Sequence, residues 1–326
     1  MPGSVRPRVI ATRRLPPATE AMLAARFDAV LSRDDHAMAS EELQAALGDA
    51  DAIICTGADR FGADVLATSP RRARIICNYA VGTDNHDLAA AAAHGIVITN
   101  TPDVLTDCTA DIAMALILGT LRRTGEGERE LRGGRWTGVR PTHLLSAKVT
   151  GRTLGIIGLG RIGRAVARRA HFGFQMPVLG YSRTPKDAAA LAADGIEPVA
   201  TLEELLARAD VVSLHAPSTP ETRNLINAPR LALMKPGSFL INTARGDLVD
   251  DDALIASLMA GHLAGAGLDV YRGEPNLDRR YLSLEQVMLL PHQGSATRET
   301  REAMGAMVVA NLDAFFAGQP VPNRVA

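Results

Sequence analysis

The segment LGIIGLGRIGRAVARRA sets Gly158, Gly160 and Gly163 in G-x-G-x-x-G spacing, directly after a β-branched run and directly before an amphipathic helical pattern. In that setting Gly158 permits a tight turn, Gly160 lets the backbone approach a pyrophosphate, and Gly163 lets helix and strand pack closely. The helix start adds unpaired N–H groups, presented by Arg161 and Ile162, and a partial positive charge. The spacing predicts a phosphate cradle for a dinucleotide; the plainer alternative is a glycine turn that merely joins strand to helix. A site built for an unphosphorylated ribose carries an acidic residue about 20 positions on. This chain has Tyr181, Ser182, Arg183 and Thr184 there, and no carboxylate. Arg183 can pair with a 2′-phosphate while Ser182 and Thr184 donate to its oxygens, each charge-assisted bond contributing roughly 1.5–3 kcal/mol. This reading prefers NADP(H) and leaves NAD(H) admissible. Its alternative is a solvated arginine that stacks on an adenine and is indifferent to the phosphate.

Three more strand ends carry charged or titratable groups: Asn242-Thr243-Ala244-Arg245-Gly246, Gly273-Glu274-Pro275 and Leu290-Pro291-His292-Gln293-Gly294-Ser295. Ligands of open parallel sheets bind at such ends. Taken singly, each has a structural reading as well: a packed ring after a proline, an Arg-Gly turn, a Glu-Pro helix start.

These groups need a sheet to converge on, and the pattern supplies one. Short β-branched runs alternate with alanine-rich segments of helical length, the signature of βαβ units around a parallel sheet. In the first hundred residues strands are expected at 8–11, 52–55, 74–78 and 97–100, with helices near 18–27, 40–47 and 88–94. A long helix follows at about 104–123. Asp103 is placed to cap its first turn, two arginines complement its last, and its uncharged middle at 112–121 is expected to be buried. Residues 124–148, rich in Gly and Arg, read as an irregular connection. A second alternation begins at Thr153, with strands in LGIIG, PVLGYS, VVSLHAP, SFLINTA, AGAGLDV and VMLLPH, and helices to about residue 171 and near 186–194. A last helix, 297–316, is too short to be a domain and is expected to return to the first one.

A length of 326 residues suits about two domains. With 35 Lys and Arg against 36 acidic residues the net charge is −1, so no global field recruits nucleic acid or anionic lipid, and any anion needs a local site. Cys55, Cys77 and Cys108 have no metal-ligand spacing; they read as reduced thiols of a cytoplasmic protein, and no metal site is expected. No apolar run approaches the roughly 18 residues of a membrane span, and the N-terminus lacks the apolar stretch of a secretory signal.

NTPDVLTD (Asn100 to Asp107), GLGRIG, NTARG, GLDV (Gly267 to Val270), Glu274-Pro275 and PHQGSAT (Pro291 to Thr297) occur in one order. On them the chain resembles the D-2-hydroxyacid dehydrogenase family, from about residue 78 to 300. The resemblance implies an α/β protein of two doubly wound parallel-sheet domains: a Rossmann coenzyme domain, 102–293, inserted into a flavodoxin-like substrate domain, 1–101 and 294–326. It implies reversible hydride transfer from NAD(P)H to a small 2-oxo acid, giving the D-2-hydroxy acid. Reduction builds negative charge on the carbonyl oxygen, so a proton donor and a cationic fork are both needed. His292 is expected to supply the proton as imidazolium. Glu274 on the other ring nitrogen would orient the ring and favour its charged form. Arg245 fits the substrate carboxylate and carbonyl through its planar donors. By the same resemblance, Thr243 and Ala244 lie beside the nicotinamide and Asp269 binds its carboxamide. His215, Ala216, Pro217 and Thr222 line the adenosine side, and Thr106, Gly294 and Ser295 are further cofactor contacts. Val81 and Gly82 hold the substrate carboxylate through backbone amides.

HQGSAT, AHFGFQM (Ala170 to Met176) and the Ser-Arg-Thr site look most like the glyoxylate and hydroxypyruvate reductase branch, also described as glycerate dehydrogenases. The chain departs from some hydroxypyruvate reductases, which carry a second aromatic where it has Val139; Trp136 reads as a core or interface anchor. The helix at 104–123 and the loop after it are implied to form a homodimer contact. Two alternatives stand: another specificity in the same family, such as 2-ketogluconate or an aryl or alkyl 2-oxo acid, and a non-catalytic, nucleotide-gated binding module of the same fold. Formate dehydrogenases share the Arg and His but lack the glutamate, so Glu274 argues against them.

Overall fold

Runs of consecutive apolar residues become inner strands, because a parallel sheet covered on both faces buries every side chain of such a run. The computed structural model describes residues 6–326. It opens with β1 (Arg8–Ala11), α1 (Pro17–Arg26), β2 (Asp28–Val30), α2 (Ser40–Asp49), β3 (Ala52–Cys55), α3 (Ala63–Leu66), β4 (Ile75–Asn78), α4 (Leu88–Ala93) and β5 (Val97–Thr99). These strands are all parallel, in the order β2-β1-β3-β4-β5. That is the flavodoxin-like order 2-1-3-4-5. AIIC of β3 and IICN of β4 are buried at every position.

The chain continues through α5 (Thr106–Leu121), α6 (Thr124–Arg132), β6 (Leu154–Ile157) and α7 (Arg161–Arg168). A wide π-type turn, Arg169–Gly173, prolongs α7. Then come β7 (Val178–Tyr181), α8 (Ala188–Ala193), β8 (Ile196–Pro198), α9 (Leu202–Arg208), β9 (Val211–Leu214), α10 (Ala228–Leu233), β10 (Ser238–Asn242), α11 (Asp251–Met259), β11 (Leu263–Leu268), β12 (Val287–Leu289) and α12 (Arg298–Phe316). Strands β6 to β12 form a second sheet, parallel throughout, ordered β12-β11-β10-β9-β6-β7-β8. Counted from its own first strand this is the Rossmann order 3-2-1-4-5-6, with one strand added at the far edge. Two units result: one runs to Leu105 and resumes at Ser295, and the other is Thr106–Gly294. Within the first unit, α12 packs on α1 and β4, and Asn311 and Leu312 are fully buried.

Several elements differ from expectation. Helix α5 starts at Thr106, with Asp103 three residues ahead of it at φ 70, so Asp103 is not its cap. The helix ends at Leu121 because Arg123 turns into the left-handed region at φ 53. Ala113, Met114, Leu116, Ile117 and Leu121 are buried, and α5 packs on α7, β10, β11 and β12 of its own unit. Part of the stretch expected to be irregular is α6, a helix with no buried residue. Its Gly125 and Gly127 mask its propensity, while Arg123–Glu126 and Glu128–Arg132 ion pairs support it. Trp136 is exposed, not in the core. Strands β2 (DAV) and β8 (IEP) lie at sheet edges and are only three residues long, too short and polar to mark themselves in sequence. Among the described residues no helix is long and apolar enough to cross a membrane.

Candidate active site

Strands β10, β11 and β12 are consecutive parallel neighbours, with Asn242 paired to Leu268 and Leu268 to Leu289. Chains leaving their C-terminal ends therefore emerge along one edge. Arg245 lies three residues past β10, Glu274 six past β11 and His292 three past β12. His292 sits at φ 52, and its Nδ1 is 2.7 Å from Glu274 Oε2. The other carboxylate oxygen, Oε1, accepts the Tyr271 N–H at 2.9 Å. Burial alone would raise the Glu274 carboxyl. The hydrogen bond to His292 and the charges of His292 and Arg245 outweigh it and hold Glu274 below the usual carboxylate range. Arg245 donates from Nη1 to the Ala244 carbonyl at 2.8 Å.

The loop bearing His292 is tied at several points, most of them to the segment just after β11. Asp269, 1% exposed, accepts the N–H of Gln293 at 2.8 Å on one oxygen and that of Gly294 at 2.9 Å on the other. Burial raises its carboxyl, and these two bonds offset that only in part. The Tyr271 hydroxyl donates to Leu290 O at 2.7 Å, with Leu268 O also in reach at 3.1 Å. Gly294 O in turn accepts the Thr109 hydroxyl at 3.3 Å. On the β10 side, Asn242 Nδ2 donates to Arg245 O at 2.8 Å and its Oδ1 accepts the Ala244 N–H at 3.0 Å. Asn242 thereby shapes the turn that presents Arg245.

The glycine loop joins β6 to α7. Ile157 is paired with Tyr181 of β7 and Leu214 of β9, so Gly158, Ser182 and His215 each follow a strand end in one row. Gly158 has φ 103, and a Cβ there would lie 2.6 Å from the His215 carbonyl. A Cβ on Gly163 would lie 2.1 Å from Gly158 O. At Gly160 it would meet nothing within 4 Å. Two glycines are thus needed for packing and the third faces open space, which fits a dinucleotide phosphate approaching the backbone. Arg161 and Ile162 open α7 beside it. Thr243 is 8% exposed and its hydroxyl has no partner, a second sign that this edge is built to receive a polar group. Ala244 follows, half-buried.

His215 Nε2 is 2.9 Å from Ser213 Oγ, and burial pushes the ring down to about 3. Ala216 and Pro217 continue that loop; Thr222 closes it, donating to Pro217 O at 2.7 Å and accepting from Thr219 N at 2.8 Å. Its hydroxyl is thus engaged in shaping the loop. Arg183 is 72% exposed, 3.8 Å from Glu221, a carboxylate that sequence reasoning did not single out; Thr184 is exposed beside it. Thr106 is the first residue of α5. Val81 and Gly82 lie on the loop after β4 in the first unit, and Ser295 is the first residue of that unit's returning segment.

The sequence model for the family described as "D-isomer specific 2-hydroxyacid dehydrogenase, NAD binding domain" matches residues 114–294. A glyoxylate reductase of Thermococcus onnurineus is 44% identical over 98% of this chain and 96% of its own. A solved structure from Polaromonas sp. JS6 66 has TM-score 0.92 at 39% identity, covering 98% of this chain and 100% of that one. The NADPH-dependent glyoxylate/hydroxypyruvate reductase of Sinorhizobium meliloti, solved with NADP and malonate, has TM-score 0.87 at 38% identity, covering 98% and 97%. The chain belongs to the D-2-hydroxyacid dehydrogenase family, nicotinamide-dependent oxidoreductases, in the glyoxylate/hydroxypyruvate reductase branch.

Proposed function

We propose that the protein reduces a small 2-oxo acid of the glyoxylate or hydroxypyruvate type to the D-2-hydroxy acid, with the second unit as coenzyme domain and the first as substrate domain. The observation that carries this reading is the 2.7 Å contact between His292 Nδ1 and Glu274 Oε2, on a sheet edge that also bears Arg245. When bound, the nicotinamide supplies the hydride for the 2-oxo carbon. Arg245 binds the substrate carboxylate and polarises the carbonyl through its planar fork. His292, charged and held by Glu274 at Nδ1, gives the proton on Nε2 to the carbonyl oxygen as negative charge develops there. Asp269 keeps the His292 loop in place and, by family resemblance, contacts the carboxamide. The test is oxidation of NADPH or NADH by the purified protein with glyoxylate, hydroxypyruvate and other 2-oxo acids. Turnover of the first two supports the reading; oxidation of neither cofactor by any of them overturns it.

The cofactor reading is a preference for NADP(H), carried by Arg183 with Ser182 and Thr184. Glu221, 3.8 Å from Arg183, competes with a 2′-phosphate for the guanidinium. Arg183→Ala is expected to lower the NADPH:NADH ratio of kcat/KM roughly tenfold, the loss of about one charge-assisted bond; an unchanged ratio overturns it. Leu131, Trp136, Val139 and Leu145 are exposed in and after α6 and support a homodimer built on this segment, tested by sedimentation mass.

A further inference from the structure

Three consecutive carbonyls of the loop after β4 are captured by the first unit's own frame. Ala80 O accepts Thr101 N–H at 2.9 Å, Val81 O accepts Asn100 Nδ2–H at 2.8 Å, and Gly82 O accepts Asn78 Nδ2–H at 2.7 Å. Asn78 ends β4 and Asn100 directly follows β5; Cys77 is paired with Thr99, so the two asparagines stand side by side. In a planar trans peptide the N–H points opposite to the C=O. Tying down these three carbonyls therefore turns the N–H groups of Val81, Gly82 and Thr83 away from the frame. None of the three donates to another group among the described residues, and all three residues are partly exposed. Successive free N–H groups of this kind form a concave site for an anion.

The frame is itself pinned. Asn78 is fully buried; its Oδ1 lies 3.8 Å from Cys55 Sγ and 3.5 Å from Asn85 Nδ2, which leaves Nδ2 facing Gly82. Asn85 Nδ2 also donates to Thr56 O at 3.1 Å and Asp59 O at 3.0 Å.

We propose that Asn78 and Asn100 are positioning residues that aim the amides of Val81, Gly82 and Thr83 at the carboxylate of the 2-oxo acid. This rests on the reading of the reaction given above. Asn100→Leu keeps the volume and removes the donor; Asn100→Asp sets an acceptor against the Val81 carbonyl. Both are expected to raise KM for glyoxylate roughly tenfold, the loss of about one net hydrogen bond's worth of orientation, while kcat stays within about threefold. NADPH affinity, measured directly by calorimetry, is expected to be unchanged, a split that general loosening of the fold would not produce. A fall in kcat at unchanged KM, or parallel loss of NADPH affinity, overturns the proposal. Asn78→Ser probes the second tether, and if that buried change prevents folding the Asn100 variants decide alone. Calorimetric binding of malonate in the presence of NADP separates this from the reaction itself: the cradle predicts roughly tenfold weaker binding by Asn100→Leu than by the unaltered protein even if glyoxylate is not turned over. Equal malonate affinity, or none in the unaltered protein, overturns it.

Discussion

Glu274→Gln removes the carboxylate charge and keeps an oxygen able to accept the Nδ1–H of His292, so the ring stays oriented and only its electrostatics change. With the charge centres about 4 Å apart, an effective dielectric of 20 gives roughly 4 kcal/mol of attraction between carboxylate and imidazolium. The two side chains are 49% and 34% exposed, and solvent screening cuts this to about 1–2 kcal/mol. A loss of that size lowers kcat/KM for glyoxylate reduction by roughly 5- to 30-fold. Initial rates of glyoxylate reduction provide the assay, with Glu274→Ala as the variant that loses both the charge and the hold on the ring. The expected result is a loss of this size in Glu274→Gln and a larger one in Glu274→Ala. Equal losses in the two would mean that orientation contributes nothing, and undiminished reduction by Glu274→Gln would refute the coupling.

Arg245→Ala is expected to lower kcat/KM by the roughly 3–4 kcal/mol that one preorganised donor contributes, and Arg245→Lys to restore little of it, since an ammonium lacks the planar fork; undiminished turnover would remove Arg245 from the mechanism. Gly160→Ala meets no atom within 4 Å and should leave thermal stability nearly unaltered while raising KM for the cofactor; Gly163→Ala, driven against Gly158 O at 2.1 Å, should destabilise the fold. Equal thermal shifts in the two would contradict this reading of the loop. Burial pushes His86 down to about 4, so the folded chain resists protonating it while the unfolded chain does so near pH 6.5. Stability then falls as pH drops through that window, by about 2 kcal/mol for this group between about pH 7 and pH 5. Denaturant unfolding of the unaltered protein and His86→Phe checks this, identical pH slopes being the contrary result.

What the sequence reveals follows from what a side chain must carry for itself. AIIC at 52–55 announces a covered strand because all four residues are apolar, whereas the edge strands DAV and IEP are three residues long and mix polar with apolar residues, which leaves no pattern to read. Helix α6 lacks an apolar stripe because it buries nothing, so periodicity has nothing to report there. Arg245, Glu274 and His292 are legible since a guanidinium, a carboxylate and an imidazole at three strand ends point to chemistry by type. The roles of Asn78, Asn100, Asn242 and Tyr271 are not, because their partners include main-chain carbonyls, which every residue possesses. Glu221 beside Arg183 was hidden by a separation of 38 positions, too far for local pattern to connect.

Apart from the Thr109 hydroxyl on Gly294 O and the Leu290 N–H on Leu268 O, the tethers on the His292 loop originate within Asp269 to Glu274: Asp269 to Gln293 and Gly294, Tyr271 to Leu290, Glu274 to His292 itself. The two connections consequently behave as one mechanical part, a jig whose jaw is a six-residue stretch leaving a single strand. Hydrogen exchange at Gln293 and Gly294 should then be nearly as slow as in the neighbouring strands despite the surface position of the histidine. Insertions that remodel the rest of the surface can accumulate around this jig, and the imidazole will hold its bearing as long as those six residues keep their length.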